Sequence, residues 1–271
     1  QASKTDGTLW VWGDNTFGCL GQNNNTDYSS PKQIPGTTWS ENVWTGKQGR
    51  SGATKTDGTC WQWGYADNGT IGNNTNQGVL DAYSSPIQIP GTTWSQKLGS
   101  TAFNEFNFCM VKTDGTLWAW GMNDYGQLGQ NKGGSAPNPQ KRRSSPVQIP
   151  GSWKEGSLGG GQGNFFAVKT DGTLWVVGRD LNGSHGSNAP SVSRSSPVQI
   201  GNGDDWKLAR SGGDSSCFGL KSDGTMWAWG YNTAGNLGLN DKTDRSSPTQ
   251  VPGSFGGVVA FNWGTQLFKN T

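Results

Sequence analysis

The sequence predicts an all-β fold in which repeated units of about four short antiparallel strands stack radially as the blades of a β-propeller. Two observations carry this prediction. Glycine supplies 44 of the 271 residues and tryptophan 15. The glycine content indicates many turns, and the tryptophan content is too high for a disordered chain. One block of residues also recurs five times along the chain. Because a unit of this size cannot bury both faces of its sheet alone, neighbouring units must cover one another.

Each repeat contains an Asp-Gly turn. The five turn aspartates are Asp6, Asp57, Asp114, Asp171 and Asp223. Asp-Gly between two apolar runs predicts a hairpin because glycine accepts a positive φ without steric cost, so we expect residues 53–55 to pair with residues 59–63. We expect each aspartate to bond to nearby backbone. Five equivalent turns indicate a structural role, since a catalytic carboxylate pair needs two different environments.

A tryptophan-rich strand and a glycine loop follow each turn. The strand reads Leu-Trp-Ala-Trp-Gly over residues 117–121, and its two apolar faces predict burial on both sides. A Gly-x-x-Gly loop comes next, followed by a segment of variable length and a Ser-Ser-Pro sequence typical of an edge strand. A further aromatic residue follows at Trp39, Trp94, Trp153, Trp206 and Phe255. Thirteen tryptophans recur at equivalent positions, so we expect them to pack between blades with their indole N–H groups on backbone carbonyls.

This pattern resembles the repeat of the regulator of chromosome condensation (RCC1) family over nearly the whole chain. The shared elements are Trp-x-Trp-Gly-x-Asn-x-x-Gly-x-Leu-Gly, then Ser-Ser-Pro, then Ala-x-Lys-Thr-Asp-Gly, and residues 118–129 and 227–238 match best. The second copy departs from the pattern with Ala66 and Ile71, and the fourth with Asp180 and His185. The resemblance implies a propeller, although such propellers usually have seven blades and this chain has five units.

We predict a single domain over residues 1–271 with repeat units of about 1–52, 53–109, 110–166, 167–218 and 219–271. The chain begins and ends in the same phase of the repeat. We therefore expect either a closed five-bladed ring or part of a larger propeller. In the ring, strands near residues 258–261 and 266–268 would pair beside the N-terminal ones and remove exposed sheet edges.

The remaining composition argues against several functions. The net charge is +2 and the apolar runs are short, so we expect neither nucleic-acid binding nor membrane insertion. Cys19, Cys60, Cys109 and Cys217 lack metal-ligand spacing, so no metal or cofactor is predicted. We expect four buried free thiols, with one or two disulfides as the alternative. His185 lies where other copies have Leu or Ile, and nothing marks a nucleophile or an orienting acid for it. A non-enzymatic protein is expected.

Two groups of residues are candidates for partner contact. The first is basic and lies in or beside the longest insertion: Lys132, Lys141, Arg142 and Arg143. Such a segment either contacts an acidic partner or is simply solvated. The second group contains aromatic residues outside the repeat pattern: Phe103, Phe106, Tyr83 and Trp44.

These observations predict a binding or structural propeller that presents variable rim loops to a protein partner or to further copies of itself. An extracellular, cell-surface or virion location is expected over a cytoplasmic one. One alternative is carbohydrate binding through rim aromatics. Another is guanine nucleotide exchange on a small GTPase, which only the family resemblance implies, and the sequence contains no wedge-like acidic hairpin.

Overall fold

The computed structural model describes residues 1–46, 49–75, 82–104, 106–131, 142–161, 163–189, 192–212, 215–255, 257–261 and 264–268. Within these ranges the regular elements are β-strands and one 3-10 turn at Asp67–Gly69. The strands form antiparallel sheets in which sequence neighbours pair. The all-β prediction is confirmed.

The sheets follow the chain in order. The first sheet has three strands: β1 (Ala2–Ser3), β2 (Leu9–Gly13) and β3 (Tyr28–Ile34). The second has four: β4 (Trp39–Gly46), β5 (Arg50–Lys55), β6 (Cys60–Tyr65) and β7 (Ala82–Ile89). The third has β8 (Thr101–Phe103), β9 (Asn107–Val111), β10 (Leu117–Met122) and β11 (Arg142–Ile149). The fourth has β12 (Gly159–Gly160), β13 (Asn164–Val168), β14 (Leu174–Gly178) and β15 (Arg194–Gln199). The fifth has β16 (Trp206–Ser211), β17 (Ser216–Lys221), β18 (Thr225–Gly230) and β19 (Arg245–Ser254). A final hairpin pairs β20 (Gly257–Phe261) with β21 (Gly264–Phe268).

The predicted Asp-Gly hairpins are present. In the second sheet β5 pairs with β6 so that Ala53 lies opposite Trp61. Gly58 has a φ of +79° and donates its N–H to the Lys55 carbonyl over 3.0 Å. The Ser-Ser-Pro strands β3, β7, β11, β15 and β19 lie at sheet edges, as the proline in each predicts.

The boundaries of the sheets do not coincide with those of the sequence repeats. Each complete sheet begins near the aromatic position that follows Ser-Ser-Pro, and it ends with the next Ser-Ser-Pro strand. The sequence unit 53–109 therefore supplies strands to both the second and the third sheet. Sharing a repeat between two sheets ties each sheet covalently to its neighbour.

The core lies between neighbouring sheets. Leu9, Val11 and Ile34 of the first sheet pack in one buried cluster with Ala53 and Trp63 of the second. Equivalent clusters join the later sheets. Because neighbouring sheets cover it, the tryptophan-rich strand is buried or half-buried on both faces in the second to fifth sheets, as predicted. In the first sheet the prediction holds on one face only, since Val11 is buried but Trp12 is 45% exposed.

The two ends of the chain do not join by strand pairing in the described residues. Strands form near the predicted positions 258–261 and 266–268, but β20 and β21 pair with each other, with Val258 opposite Leu267. The hairpin contacts β16 and β17 of the fifth sheet. The expected pairing of these strands beside the N-terminal ones is therefore absent from this part of the molecule, because β20 takes its partner from its own hairpin.

Candidate functional site

The stacked sheets have two rims of different construction. The Asp-Gly turns and the connections between successive sheets lie at one end of the strands, which we call the turn rim. The Gly-x-x-Gly loops and the starts of the Ser-Ser-Pro strands lie at the other end, the loop rim. This division follows from the antiparallel order, because every tryptophan-rich strand runs from the turn rim to the loop rim.

The aspartates of the turn rim are bonded within their own turns. Asp114 accepts the backbone N–H of Thr116 at 2.9 Å and its hydroxyl at 2.7 Å. These bonds hold the pKa of the Asp114 carboxyl below its ordinary value. The same pair of bonds is present in the other four turns. The predicted bond from each aspartate to nearby backbone is thus present in all five copies.

Lysines of the turn rim lie on indole faces. The Lys112 ammonium is 4.8 Å from the ring centre of Trp94 and 4.9 Å from that of Trp118. Lys55, Lys169 and Lys221 each lie in the same way against two tryptophans. The charged groups of the repeated framework therefore have internal partners on this rim.

A groove of about 310 Å³ lies between the first and second sheets, and Trp39, Lys55 and Trp61 line it. Of its two indoles Trp39 is buried and Trp61 half-buried, so only Trp61 offers a sugar ring part of an exposed face. However, the Lys55 ammonium is 4.4 Å from the Trp61 ring centre and 4.8 Å from that of Trp39. Lysine thus competes with a sugar for the same faces.

Hydrogen bonds that we call the joint hold the Gly-x-x-Gly loop of each of the first four sheets against the following sheet. Trp120 donates its indole N–H to the carbonyl of Thr70 in the preceding sheet over 3.0 Å, and Trp63 makes the same bond to Cys19 over 2.8 Å. The prediction that the repeated indoles meet backbone carbonyls is confirmed for these two and for Trp229, Trp39 and Trp153. It is wrong for the first tryptophan of each strand, whose N–H bonds to the hydroxyl of the threonine two residues before it, as Trp118 does to Thr116 over 2.9 Å. The indole nitrogens of Trp94 and Trp206 have no hydrogen-bond partner among the described residues. The backbone N–H of Asn131 bonds to the carbonyl of Ser195 in the following sheet over 2.6 Å.

Sequence reasoning missed the left-handed conformation in these loops, which accompanies the joint in the first four sheets and which Asn240 of the fifth sheet also has. Asn131 has a φ of +54°, a region that asparagine tolerates better than most residues. Equivalent positive-φ asparagines are Asn23, Asn74, Asn188 and Asn240. Each lies two residues after the second glycine of its loop, and that constant spacing was the available signal. A Cβ on Gly126 would lie 2.5 Å from the Ser195 Cα, so the close approach also requires glycine there.

The loop rim carries a row of structurally equivalent positions at which the residue type changes from aromatic to basic along the chain. The residue opposite the glycine that ends each tryptophan-rich strand is in turn Tyr28, Tyr83, Arg143, Arg194 and Arg245. The row thus places aromatic residues on the first two sheets and arginines on the last three. These positions are not fixed by the framework, because the framework accepts both residue types.

Exposed apolar and aromatic groups lie beside these arginines. Tyr125 is 39% exposed, and the Arg179 guanidinium carbon is 4.7 Å from its ring centre. Val192 is 49% exposed in the loop that precedes Arg194. The repeat pattern gave no signal for Tyr125 or Val192. Arg194 was visible in the sequence as the basic residue before Ser-Ser-Pro.

The predicted contact residues separate into two places. Arg142 is exposed and Arg143 half-buried at the start of β11 on the loop rim. Trp44 is buried, with its ring centre 5.1 Å from that of Phe108, against which Phe103 also stacks. These rings form part of the core between the second and third sheets.

The other four predicted contact residues do not join either of these places. Tyr83 is half-buried and accepts a bond from the Asn73 amide over 3.0 Å. Phe106 is half-buried, and its carbonyl accepts the Met122 N–H. Lys132 and Lys141 lie outside the described residues.

His185 is a core residue of a loop rather than part of a catalytic group. It is 1% exposed, and its Nδ1 lies 3.9 Å from the nearer oxygen of Asp180. Burial lowers the pKa of His185. Ser184 bonds to Asp180 over 3.4 Å rather than to the histidine, whose ring nitrogens have no hydrogen-bond partner among the described residues. A serine–histidine relay is therefore not assembled.

The cysteines are buried free thiols, as predicted. Burial raises the pKa of Cys217 to about 12 and that of Cys60 still further, which removes them as nucleophiles. In the described ranges no three His, Cys, Asp or Glu residues cluster closely enough to hold a metal ion. The described part of the chain also contains no helix with the length and apolar character needed to cross a bilayer.

The stacked sheets and their repeated joints define a repeat protein of the β-propeller class. The chain belongs to the regulator of chromosome condensation (RCC1) repeat family. One model of that repeat matches residues 6–43, 114–157 and 223–266, and a second matches residues 100–127. Together they cover slightly more than half of the chain.

Two curated relatives illustrate the similarity. The chain is 27% identical over 256 residues to the ultraviolet-B receptor UVR8 of Arabidopsis thaliana, covering 91% of this chain and 54% of the receptor. It is 30% identical over 139 residues to the human E3 ubiquitin-protein ligase HERC2, covering 51% of this chain and 3% of the ligase. The chain thus spans about half the length of the plant receptor and a small part of the ligase.

Solved structures share the fold. Human WBSCR16 superposes with a TM-score of 0.78 at 19% identity, covering 99% of this chain and 68% of that one. Prp20p of Saccharomyces cerevisiae, whose binding to Gsp1p and histones has been characterised, gives a TM-score of 0.76 at 19% identity, covering 98% and 66%. At 19% identity these superpositions show a shared fold and nothing beyond it.

Proposed function

We propose that this chain is a non-enzymatic binding module that recognises protein partners through its loop rim. The contrast between the two rims carries the proposal. The turn rim repeats the same bonded aspartate and the same covered indoles, so its residues serve the framework. The loop rim varies from sheet to sheet and exposes Tyr125 and Val192. Exposed apolar and aromatic groups rimmed by polar ones are typical of protein-binding surfaces.

Relatives support a protein partner. Prp20p is described with its binding properties to Gsp1p and histones, and it has also been solved bound to Kap60. Nucleotide exchange is supported only through family membership. Glycan binding is disfavoured by the lysines on the indole faces of the turn rim. Extracellular, cell-surface or virion placement and assembly with further copies stay predictions from composition.

We also infer that the five sheets form an arc with the curvature of longer RCC1 propellers rather than a closed five-bladed ring. The superposition of 99% of this chain on 68% of WBSCR16 supports the arc. So does Trp12, which is 45% exposed although its counterparts Trp63 and Trp120 are fully buried. Small-angle scattering tests the arc, because a closed ring is more compact than an open arc of the same mass.

A displayed random-peptide library tests the binding function. Peptides selected on the wild-type protein are compared on a loop-rim variant, Tyr125→Ala/Val192→Ser, and on a control, Leu98→Ser. Leu98 is 56% exposed in the connection between the second and third sheets, on the turn rim. We expect binding to be lost by the loop-rim variant and kept by the control. Failure to select any peptide, or equal binding to both variants, would contradict the proposal.

A further inference from the structure

We propose that the two ends of the stacked sheets bind one another between copies of this chain, so that copies associate head to tail. One end is the face of the first sheet that carries Trp12, and we call it the tryptophan end. The other is the loop of the fifth sheet that contains Gly235, Gly238 and Asn240, and we call it the glycine end. This association lies outside the proposed loop-rim function and rests on the proposed arc, which keeps the two ends of one copy apart.

The joint between the first and second sheets shows what each side of a complete joint supplies. Trp63 of the second sheet donates its indole N–H to the Cys19 carbonyl of the first sheet over 2.8 Å. The backbone N–H of Asn23 bonds to the Ser84 carbonyl over 2.7 Å, and the Asn23 side-chain oxygen accepts the Ser85 hydroxyl over 3.2 Å. One side therefore offers a tryptophan and two serines, and the other offers a glycine loop with a left-handed asparagine.

The tryptophan end has the first side of a joint without its loop. Trp12 has the same place in its strand as Trp63, but it is 45% exposed and makes no hydrogen bond with its side chain in the described part of the chain. Ser29 and Ser30 hold the places of the two serines of that joint, and they are exposed where those serines are half-buried. Among the described residues no loop asparagine donates to the Ser29 carbonyl.

The glycine end has the second side of a joint without its tryptophan. The second loop glycine is buried in each of the first four sheets, at Gly21, Gly72, Gly129 and Gly186, whereas Gly238 of the fifth sheet is exposed. A Cβ on Gly238 would meet only Val251 of its own sheet, at 3.9 Å, but a Cβ on Gly186 would lie 3.0 Å from the Trp229 indole nitrogen. Asn240 has a φ of +60°, close to the +59° of Asn23 in a complete joint. The loop thus has the conformation of a joint before any partner is present, which lowers the cost of binding.

The final hairpin leaves the glycine end open and begins a further sheet. β20 contacts β16 and β17, just as β16 contacts β12 and β13 of the sheet before it. β20 and β21 therefore take the places of the first two strands of a sheet, and in the described residues they pair only with each other. The strands that would complete such a sheet are a tryptophan-rich strand and a Ser-Ser-Pro strand, and β2 and β3 of a second copy are these two strands. Because β21 has five residues and β1 has two, we expect β21 to replace β1 on the edge of β2.

A second copy is the occupant that both ends fit. The chain carries the two unfilled sides of one kind of joint, and in the arc they cannot meet within one molecule. A contact between two different patches of identical copies is heterologous, so each copy can bind one neighbour at each end. A partly exposed indole that enters a preformed loop is also the kind of anchor that dominates protein interfaces.

Sedimentation velocity over a wide range of protein concentration tests the association. Trp12→Ala removes the anchor of the tryptophan end. Asn236→Arg places a large charged side chain in the glycine end, and the residues at this position of the first four loops are buried: Cys19, Thr70, Gln127 and Ser184. Leu98→Ala is the control, because it removes an exposed apolar side chain from the turn rim. Thermal melts at low concentration establish that each variant is folded.

We expect the mass of the wild-type protein and of the control to rise with concentration above that of one copy, and each end variant to weaken association by roughly tenfold or more. Each end variant keeps one intact end. An equal mixture of the two should therefore form pairs of copies and nothing larger. The proposal is overturned by a wild-type protein that stays a single copy at every concentration, by a mixture that does not pair, or by association that survives in both end variants.

Small-angle scattering at low concentration separates this proposal from the proposed arc. A single copy with the shape of an open arc that never associates leaves the arc standing and removes the head-to-tail contact. A closed ring removes both. Selection of loop-rim peptides depends on neither result, so the proposed binding function is tested separately.

Discussion

Trp229 donates its indole N–H to the carbonyl oxygen of Ser184 over 2.9 Å, and the two residues belong to different sheets. The bond seats the loop of the fourth sheet on the core strand of the fifth. The same relationship joins Trp63 to Cys19 and Trp120 to Thr70. Three loops of the loop rim are thus each held by a tryptophan of the next sheet, whereas the fourth sheet has Val177 at that position. These bonds connect the tryptophan content of the chain to its proposed binding surface.

Replacing one of these tryptophans tests the joint directly. Trp229→Phe removes the donor and leaves the Ser184 carbonyl buried without it, so we expect a loss of about 1–3 kcal/mol of unfolding free energy. Trp12 is the matched control, because it has the same place in its repeat but is 45% exposed. Trp12→Phe should cost less than about 0.5 kcal/mol. Urea unfolding of the two variants gives the comparison, and equal losses would argue against a specific role for the joint.

The bonded aspartates predict an acid-dependent loss of stability. Hydrogen bonds from threonine hold the pKa of Asp114 and of its four counterparts below the ordinary value of 3.8. A carboxyl whose folded pKa is lowered contributes stability above its unfolded pKa, and the contribution is lost as pH falls through the folded value. Stability should therefore fall below about pH 4.

Asp114→Asn isolates one of these turns. The variant should be slightly less stable than the wild-type protein at neutral pH, because the amide accepts the Thr116 bonds more weakly than a carboxylate does. The difference should shrink as the wild-type carboxyl itself becomes neutral in acid. Urea midpoints measured across the acid range test this, and a difference that grows toward low pH would contradict it.

The thiols predict a graded reactivity. Cys60, Cys109 and Cys217 are fully buried, and burial raises the pKa of each. Cys19 is 9% exposed, and burial together with Asp14 raises its pKa as well. We expect a thiol reagent at mildly alkaline pH to modify Cys19 first and the other three only after unfolding. Rapid modification of all four in the native protein would show that the sheets separate readily.

The sequence predicted the framework because the framework repeats. A local physical cause lies behind each element of the framework: the Asp-Gly turns, the Trp-x-Trp strands and the Ser-Ser-Pro edges. Because each motif occurs five times, the pattern could be recognised in the sequence. Trp12 shows the limit of this reasoning, since it shares the motif of Trp63 but not its burial. Which copy lacks a neighbour depends on the whole stack and not on the repeat itself.

The candidate site was less accessible to sequence reasoning. Trp44 and Phe103 stood out because they broke the pattern, yet Trp44 packs in the core and Phe103 stacks beside it against Phe108. A residue that departs from the repeat pattern can therefore mark a local change in packing as well as a contact site. Arg179 and Tyr125 come together only across the joint between two sheets. Their proximity follows from the three-dimensional register and has no counterpart in sequence spacing.

Two glycines of the same repeat position test most directly whether the joint orders the sheets. A Cβ on Gly126 would lie 2.5 Å from the Ser195 Cα of the next sheet, whereas a Cβ on Gly235 meets no atom within 4 Å. Their φ angles are +78° and +81°, so alanine suffers the same backbone strain of about 1–2 kcal/mol at both. If the joint orders the sheets, Gly126→Ala costs at least about 2 kcal/mol more unfolding free energy than Gly235→Ala. Equal costs at the two positions would show that the joint does not order the sheets.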